Sequence, residues 1–301
     1  KGGFLRRQDL ALHVTTIEEP VIADYRGYAV CKCGPWTQGP VLCQTLRLLD
    51  GFDLAGMGHL SADAIHHAVE ALKLAMADRD AYYGDPQFTG VPLPSLLSER
   101  YTELRRPLID PGSASHEARP GDPYGLRPLA GEGFFRPGPG GTTTCVIADR
   151  WGNVVAATPS ANVPTDHDGG GAAGVTYGNR LRSLNTTPGH PNCIQPGKRP
   201  RITLTPTLVL KQGRPAMAIS VAGGDLQDQT ALSLLTNAID FGMAPADAVT
   251  TPRFSTGNHE DSFDPDPIRE QTFKDAGSLQ INEAIPEAIR QDLGARGHRV
   301  A

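Results

Sequence analysis

In GGTTTCVIADRWGNVVAATPSAN, residues 140–162, three threonines stand directly behind two glycines, at the front edge of what reads as a buried hairpin. A threonine hydroxyl is a weak nucleophile until a base takes its proton. One economical base is the residue's own α-amine, which titrates near ~7.7–8.0 and is substantially neutral at working pH. That option requires the threonine to become a chain terminus, so a flexible and sterically open junction must precede it. The stretch FRPGPGGT, residues 135–142, supplies one in front of Thr142, because glycine permits the strained backbone that an N-to-O acyl shift demands. Taken alone, the pattern fits an ordinary edge strand after a loop better.

A second stretch raises the chemical reading. In VAGGDLQDQ a strand ends at Gly223-Gly224 and passes straight into a helix, exposing backbone N–H groups beside the positive end of a helix dipole. Such a place stabilises an oxyanion. A phosphate cradle would need the P-loop lysine or the further glycine of a dinucleotide fingerprint, and neither is present. The plainer alternative is that Gly-Gly merely permits close helix packing.

The elements that must position these residues read as follows. SADAIHHAVEALKLAMADRDAYYGDP is a long amphipathic helix capped by Ser61, with Ile65, Val69, Leu72 and Met76 on its core face; Gly84 and Pro86 stop it. His66 and His67 in it are neighbours that cannot together face one metal. Residues 107–140 turn to Pro, Gly, Arg and Glu and read as loop or linker. Strands follow over 142–148 and 154–158 as a hairpin, then over 202–211, split by Pro206, and over 216–222. Helices are expected over 225–241, with Leu232, Leu235 and Ile239 on one face and Gly242 at its stop, and over 286–293. Strands grouped with strands and helices with helices point to an α+β fold without internal repeats.

Composition bounds the class. The chain has 301 residues, 39% hydrophobic and 20% charged, enough for one large core or two modest ones. Its net charge of −5 with scattered Lys and Arg gives no basic stripe for nucleic acid and no polybasic cluster for a membrane surface. Small polar or zwitterionic ligands fit better. No apolar run approaches the roughly 20 residues that span a bilayer. KGGFLRRQDLALHV lacks the apolar core of a signal peptide, and the chain opens in what reads as mid-fold. Five cysteines (Cys31, Cys33, Cys43, Cys145, Cys193) suit reduced, buried thiols better than a disulfide framework or zinc knuckle, which leans towards the cytoplasm; a periplasmic or secreted protein stays open. Asp166, His167 and Asp168 are adjacent residues that rarely converge on one ion, and the acidic stretch His259–Pro267 reads as a solvated loop lacking the glycine and terminal glutamate of an EF-hand. No metal and no cofactor are expected.

Several short motifs, in order and almost end to end, resemble γ-glutamyltranspeptidases of the N-terminal-nucleophile hydrolase superfamily: GGFLRRQDLA, EEPVIADYRGYAV, LLDGFDL, MADRDAYYGDP, TTTCVIADRWGNVV, PGKRPRITLTPTLVL, VAGGDLQDQ, DFGMAPADAV and PRF. The resemblance implies a four-layer αββα sandwich with two stacked antiparallel sheets, and a zymogen that cuts itself between Gly141 and Thr142. Residues 1–141 would then be the end of a large subunit, closing in a Pro/Gly-rich linker, and residues 142–301 a small subunit, the two forming a heterodimer that could pair again. It places the nucleophile on Thr142, an accompanying threonine at Thr143, a supporting hydroxyl at Ser160, a carboxylate contact at Asn162, and the oxyanion hole at Gly223 and Gly224. The implied activity is cleavage of a γ-glutamyl-like amide through an acyl-enzyme, with transfer to water or to an amine.

Two positions depart from the family pattern. Ser183 stands where an aspartate would hold the substrate's α-ammonium group, beside Arg182, and a neutral hydroxyl cannot replace a carboxylate there. Only Thr203 survives of a serine pair that follows KRP. Arg180 and Arg182 could bind an acid group instead, or form a solvated surface pair, the slightly stronger reading. An alternative is therefore an acylase, or a hydrolase of secondary metabolism that cleaves other bonds, including carbon–carbon bonds. A non-catalytic binding relative is the remaining possibility and predicts an uncut chain.

Overall fold

Arg26 and Gly27 take positive φ of 50° and 79°, as do Gln212 and Gly213 at 52° and 74°. Two-residue turns of this hand match the twist of antiparallel strands, and each closes a hairpin. The computed structural model describes residues 6–125, 127–128, 142–160, 178, 180–268, 271–273 and 275–301. In chain order its main strands are β1 (Val21–Tyr25), β2 (Tyr28–Lys32), β3 (Cys145–Ala148), β4 (Val154–Ala157), β5 (Thr207–Lys211) and β6 (Arg214–Ile219). The order β1-β2-β5-β6 makes one antiparallel sheet, and β3-β4 make a separate hairpin. Strands from both sides of the 141/142 junction thus share one sheet, so the fold survives a cut there only as a tightly joined pair of pieces. Of the strand expected over 202–211 only Thr207–Lys211 forms; Pro206, which cannot donate to a ladder, precedes it, and 202–205 stay outside any strand apart from an isolated bridge at Ile202.

Alternation along the central strands decides the layers. Val30 pairs with Val209, both are fully buried, and both belong to the helix-side core. Their neighbours Cys31 and Leu208 pair on the opposite face and look across a cavity of about 580 Å³ to Ala156 of β4. Helix, sheet and sheet therefore follow one another, and the fold is α+β as the sequence predicts.

The helices on that core are α1 (Pro40–Leu49), α2 (Ala62–Tyr82), α3 (Leu226–Ile239) and, at the far end, α4 (Glu287–Ala295). Ser61 caps α2 by accepting from the Ala64 N–H at 3.1 Å, as its sequence implies. The expected single apolar stripe is overturned: α2 is enclosed on nearly all sides, and Glu70, Lys73, Asp78, Arg79 and Asp80 are as buried as Leu72. Each charge is matched instead. Glu70 pairs with Lys73 at 2.7 Å and Arg119 at 2.8 Å, and Asp78 accepts from the Gly121 N–H at 2.7 Å. Those contacts also correct the linker reading of 107–140, whose described part is packed, with Ile109 and Ala118 buried beside Arg119.

Gly242, with φ of 63°, stands just beyond α3 as predicted. β7 (Phe254–Ser255), β8 (Ser278–Ile281) and β9 (Arg299–Val300) form a small sheet of order β9-β8-β7 against α4. The β3–β4 hairpin is not buried as predicted: Val146, Ile147 and Val155 are half exposed, because a two-stranded ribbon covers neither of its own faces. It joins the main sheet through Thr158 and Ser220, whose hydroxyls are 2.8 Å apart. All five cysteines are free, but only Cys31 and Cys43 are buried; burial pushes the Cys43 thiol up to about 12, leaving it inert. Among the described residues no helix is long and apolar enough to cross a membrane.

Candidate active site

The register of the β3–β4 hairpin places its open end. Cys145 pairs with Ala157, and the Thr143 N–H continues the ladder by donating to the Pro159 carbonyl at 2.9 Å. Thr142 must then lie opposite Ser160, and its Oγ1 donates to Ser160 Oγ at 3.3 Å. Ser160 Oγ also accepts from Arg180 Nη2 at 2.6 Å. Arg180 begins a 3₁₀ turn, Arg180–Ser183, that brings the guanidinium to the end of the hairpin. Three residues that the sequence spreads over 39 positions so form one polar chain: Thr142, Ser160, Arg180.

The Gly223-Gly224 turn stands at the start of α3 as predicted. Its φ angles of 121° and 60° lie in the region that side chains avoid, and a Cβ on Gly224 would sit 2.7 Å from Phe263 Cε2. Beneath the turn Asp225 is clamped by Arg79 and by Ser262, whose N–H donates to it at 3.0 Å, while Gln38 Nε2 reaches the Gly224 carbonyl at 3.4 Å. Burial alone would raise the Asp225 carboxyl, but Arg79, His259 and Ser262 reverse this and hold it well below the usual carboxylate range. A permanently charged, locked anchor thus fixes the backbone of the turn.

Phe263 links the two halves. Its ring lies 5.1 Å from the Arg180 guanidinium and 5.4 Å from that of Arg182, and its carbonyl accepts from Arg182 Nε and Nη2 at 3.0 and 2.8 Å. Nothing in the sequence singled out Phe263. It belongs to the stretch read as a solvated acidic loop, and the structure overturns that reading: His259, Glu260, Asp261 and Ser262 are all buried. Their partners lie far away in sequence, among them Arg79, which donates to the Glu260 carbonyl at 2.7 Å, and Asp80, which accepts from the Glu260 N–H at 2.8 Å.

Of the predicted site residues, the structure brings together Thr142 and Ser160, and connects Arg182 and Gly224 through Phe263. Thr143 contributes its backbone to the ladder. Ser183 and Thr203 are both about 1% exposed, neither hydrogen-bonds Thr142, and neither hydroxyl has a partner among the described residues. Asn162, Gly141 and the stretch Asp166, His167 and Asp168 lie outside the described residues. The reading of Arg180 and Arg182 as a solvated pair holds for exposed Arg182 but not for Arg180, which is partly buried against Phe263. The 580 Å³ cavity includes none of these residues; it is lined instead by Trp36, Lys32 and Arg199 among others.

The motifs along the chain also interlock. Arg199 pairs with Asp85 at 3.0 Å and Arg201 with Asp80 at 3.3 Å, so PGKRPRITLTP and MADRDAYYGDP hold each other. The sequence profile described as Gamma-glutamyltranspeptidase matches residues 1–301. The chain belongs to this family. Among family relatives, the Acylase ACY 1 proenzyme of Pseudomonas sp. (strain SE83) is 33% identical over 99% of this chain and 48% of its own length. The Glutathione hydrolase proenzyme of Bacillus subtilis subsp. natto is 30% identical over 99% of this chain and 49% of its own. Among solved structures, one described as LmbA2991HD superposes with a TM-score of 0.86 at 38% identity, covering 99% of this chain and 52% of that one. The cephalosporin acylase from Bacillus halodurans gives a TM-score of 0.80 at 29% identity, covering all of this chain and 49% of that one. The chain spans about half the length of these relatives.

Proposed function

We propose that this chain carries the nucleophile of a self-processing threonine hydrolase in which Thr142, freed at its amino end by a cut after Gly141, attacks a small amide. Residues 1–141 and 142–301 would remain together as two subunits of one enzyme, held by the shared β1-β2-β5-β6 sheet. The observation that carries this reading is the hydrogen bond from Thr142 Oγ1 to Ser160 Oγ, which Arg180 and Phe263 link in turn to the Gly223-Gly224 turn.

In the proposed reaction the Thr142 amine accepts the hydroxyl proton while Oγ1 bonds to the carbonyl carbon. Backbone N–H groups at the Gly223-Gly224 turn receive the oxyanion; loss of one such donor typically costs ~10²–10³ in rate. The C–N bond then breaks, the leaving amine takes the proton back, and water or an acceptor amine releases the acyl group from Thr142. Ser160 orients the attacking hydroxyl.

Ser183 favours the acylase form over a γ-glutamyl hydrolase. It is buried, carries no charge, and has two arginines in its own turn, so an α-ammonium group would find no carboxylate there. Acylase proenzymes are among the relatives. Intact mass and terminal sequencing of the purified protein test the reading: a fragment beginning at Thr142, lost in Thr142→Ala, is expected. Active material consisting of one uncut polypeptide would overturn it.

A further inference from the structure

We infer that Arg180 is a specificity-determining residue that holds a carboxylate on the acyl part of the substrate, and that it selects acids over ammonium-bearing acyl groups. The inference rests on the reading of Thr142 as nucleophile and adds the charge of what is attacked.

Position comes first. Arg180 Nη2 is bonded to Ser160 Oγ, itself bonded to Thr142 Oγ1, so the guanidinium stands two hydrogen bonds from the attacking oxygen. The orientation is also set in advance: Phe263 packs against Arg180, and is itself fixed by Arg182 at its carbonyl and by its N–H donating to Asp261 at 2.8 Å.

Charge comes second. Among the described residues the fully buried arginines all have carboxylate partners: Arg79 has Asp80 and Asp225, Arg105 has Asp78, and Arg201 has Asp80. Among the described residues no carboxylate pairs with Arg180 or Arg182. Burial disfavours the Arg180 charge and the neighbouring Arg182 cation disfavours it further, with no opposing anion. Two of its nitrogens, Nε and Nη1, are enclosed yet lack an acceptor among the described residues. A partly desolvated guanidinium with unused donors and a like-charged neighbour is completed by an anion and repels a cation. The planar carboxylate of a short dicarboxylic acid amide fits that requirement; an α-ammonium group does not.

The full-length, self-processed protein decides this with three p-nitroanilides: glutaryl (acid), butyryl (neutral) and γ-glutamyl (acid plus ammonium). Glutaryl should be preferred by about tenfold or more in kcat/KM over both others. Arg180→Gln should lower kcat/KM for glutaryl about tenfold more than for butyryl, the excess mainly through KM, and narrow the gap to γ-glutamyl, while any loss common to all three anilides reports the Arg180–Ser160 hydrogen bond; Arg180→Lys should recover part of the glutaryl loss. Equal losses on glutaryl and butyryl would overturn the inference. Calorimetric titration of glutarate into the Thr142→Ala protein, with and without Arg180→Gln, is a second measurement that needs no turnover. About tenfold weaker binding on loss of Arg180 supports the assignment, and unchanged affinity sinks it. If no amide is cleaved and no cut is found at Thr142, the nucleophile reading fails while the titration still rules on Arg180. Should Arg180→Gln not fold, Arg180→Lys in the same titration gives the answer.

Discussion

Arg79 and Arg180 are both withdrawn from solvent, and they are treated oppositely. Arg79 lies beneath the Gly223-Gly224 turn, where Asp80, Asp225, the Gln38 side chain and the Glu260 carbonyl occupy its donors. Arg180 has, among the described residues, one hydroxyl, one aromatic ring and no carboxylate. The buried arginines of the scaffold each hold a carboxylate, whereas Arg180 holds none among the described residues and is available to one. The first arrangement holds the Gly223-Gly224 turn still, and the second leaves room for a ligand to supply what is missing.

The largest effect that can test this contrast belongs to neither arginine. Thr142→Ala should leave the chain uncut and lower amide turnover by about 10³-fold or more, read by intact mass and by a chromogenic amide assay; retained cleavage would move the nucleophile elsewhere and dissolve the site half of the comparison. Next, Arg79→Met should destabilise the protein by about 3–5 kcal/mol in a denaturant melt, because Asp80 and Asp225 are left buried without their partner. Arg180→Gln should cost less than about 1 kcal/mol in the same melt, since no charge depends on it. Similar costs for the two would break the distinction.

The scaffold also accepts a titratable group when it stays neutral. Burial, with Lys73 nearby, pushes the His298 imidazole down to about 3, and its Nε2 meets His66 Nδ1 at 2.9 Å. The folded state therefore resists a proton that the unfolded chain accepts below about 6.5. Stability from this source is complete above about pH 6.5 and is lost as pH falls towards 3, amounting to about 2 kcal/mol by pH 5. Thermal melts at pH 7 and pH 5 should show the drop, and His298→Gln should shrink it. Gly224→Ala tests the turn itself. A left-handed alanine costs about 1–2 kcal/mol, and its Cβ collides with Phe263, so a modest loss in the melt should accompany a larger loss of turnover. If turnover is spared, the turn does not hold the oxyanion.

Much of the framework was readable in advance because its signals are local. The Ser61 cap, the stop at Gly242 and the β3–β4 turn depend on residues within a few positions of one another. The site was readable in part. Ser160 follows in sequence only from the family resemblance, and the hairpin register of the folded chain is what brings it to Thr142. Phe263 and the buried character of His259–Ser262 were not readable, since polar residues without a visible partner look solvated, and the partner Arg79 precedes them by about 180 residues.

What the sequence determined by itself, then, is where a hydroxyl could become a terminus, where glycines could open a backbone, and that strands and helices segregate as α+β; each follows from covalent geometry and short-range periodicity. Only the tertiary structure decided which charges are satisfied. Arg79, Arg180 and Arg182 are the same residue type in one dimension, and whether a guanidinium is neutralised depends on which carboxylates the folded chain delivers within a hydrogen bond of it.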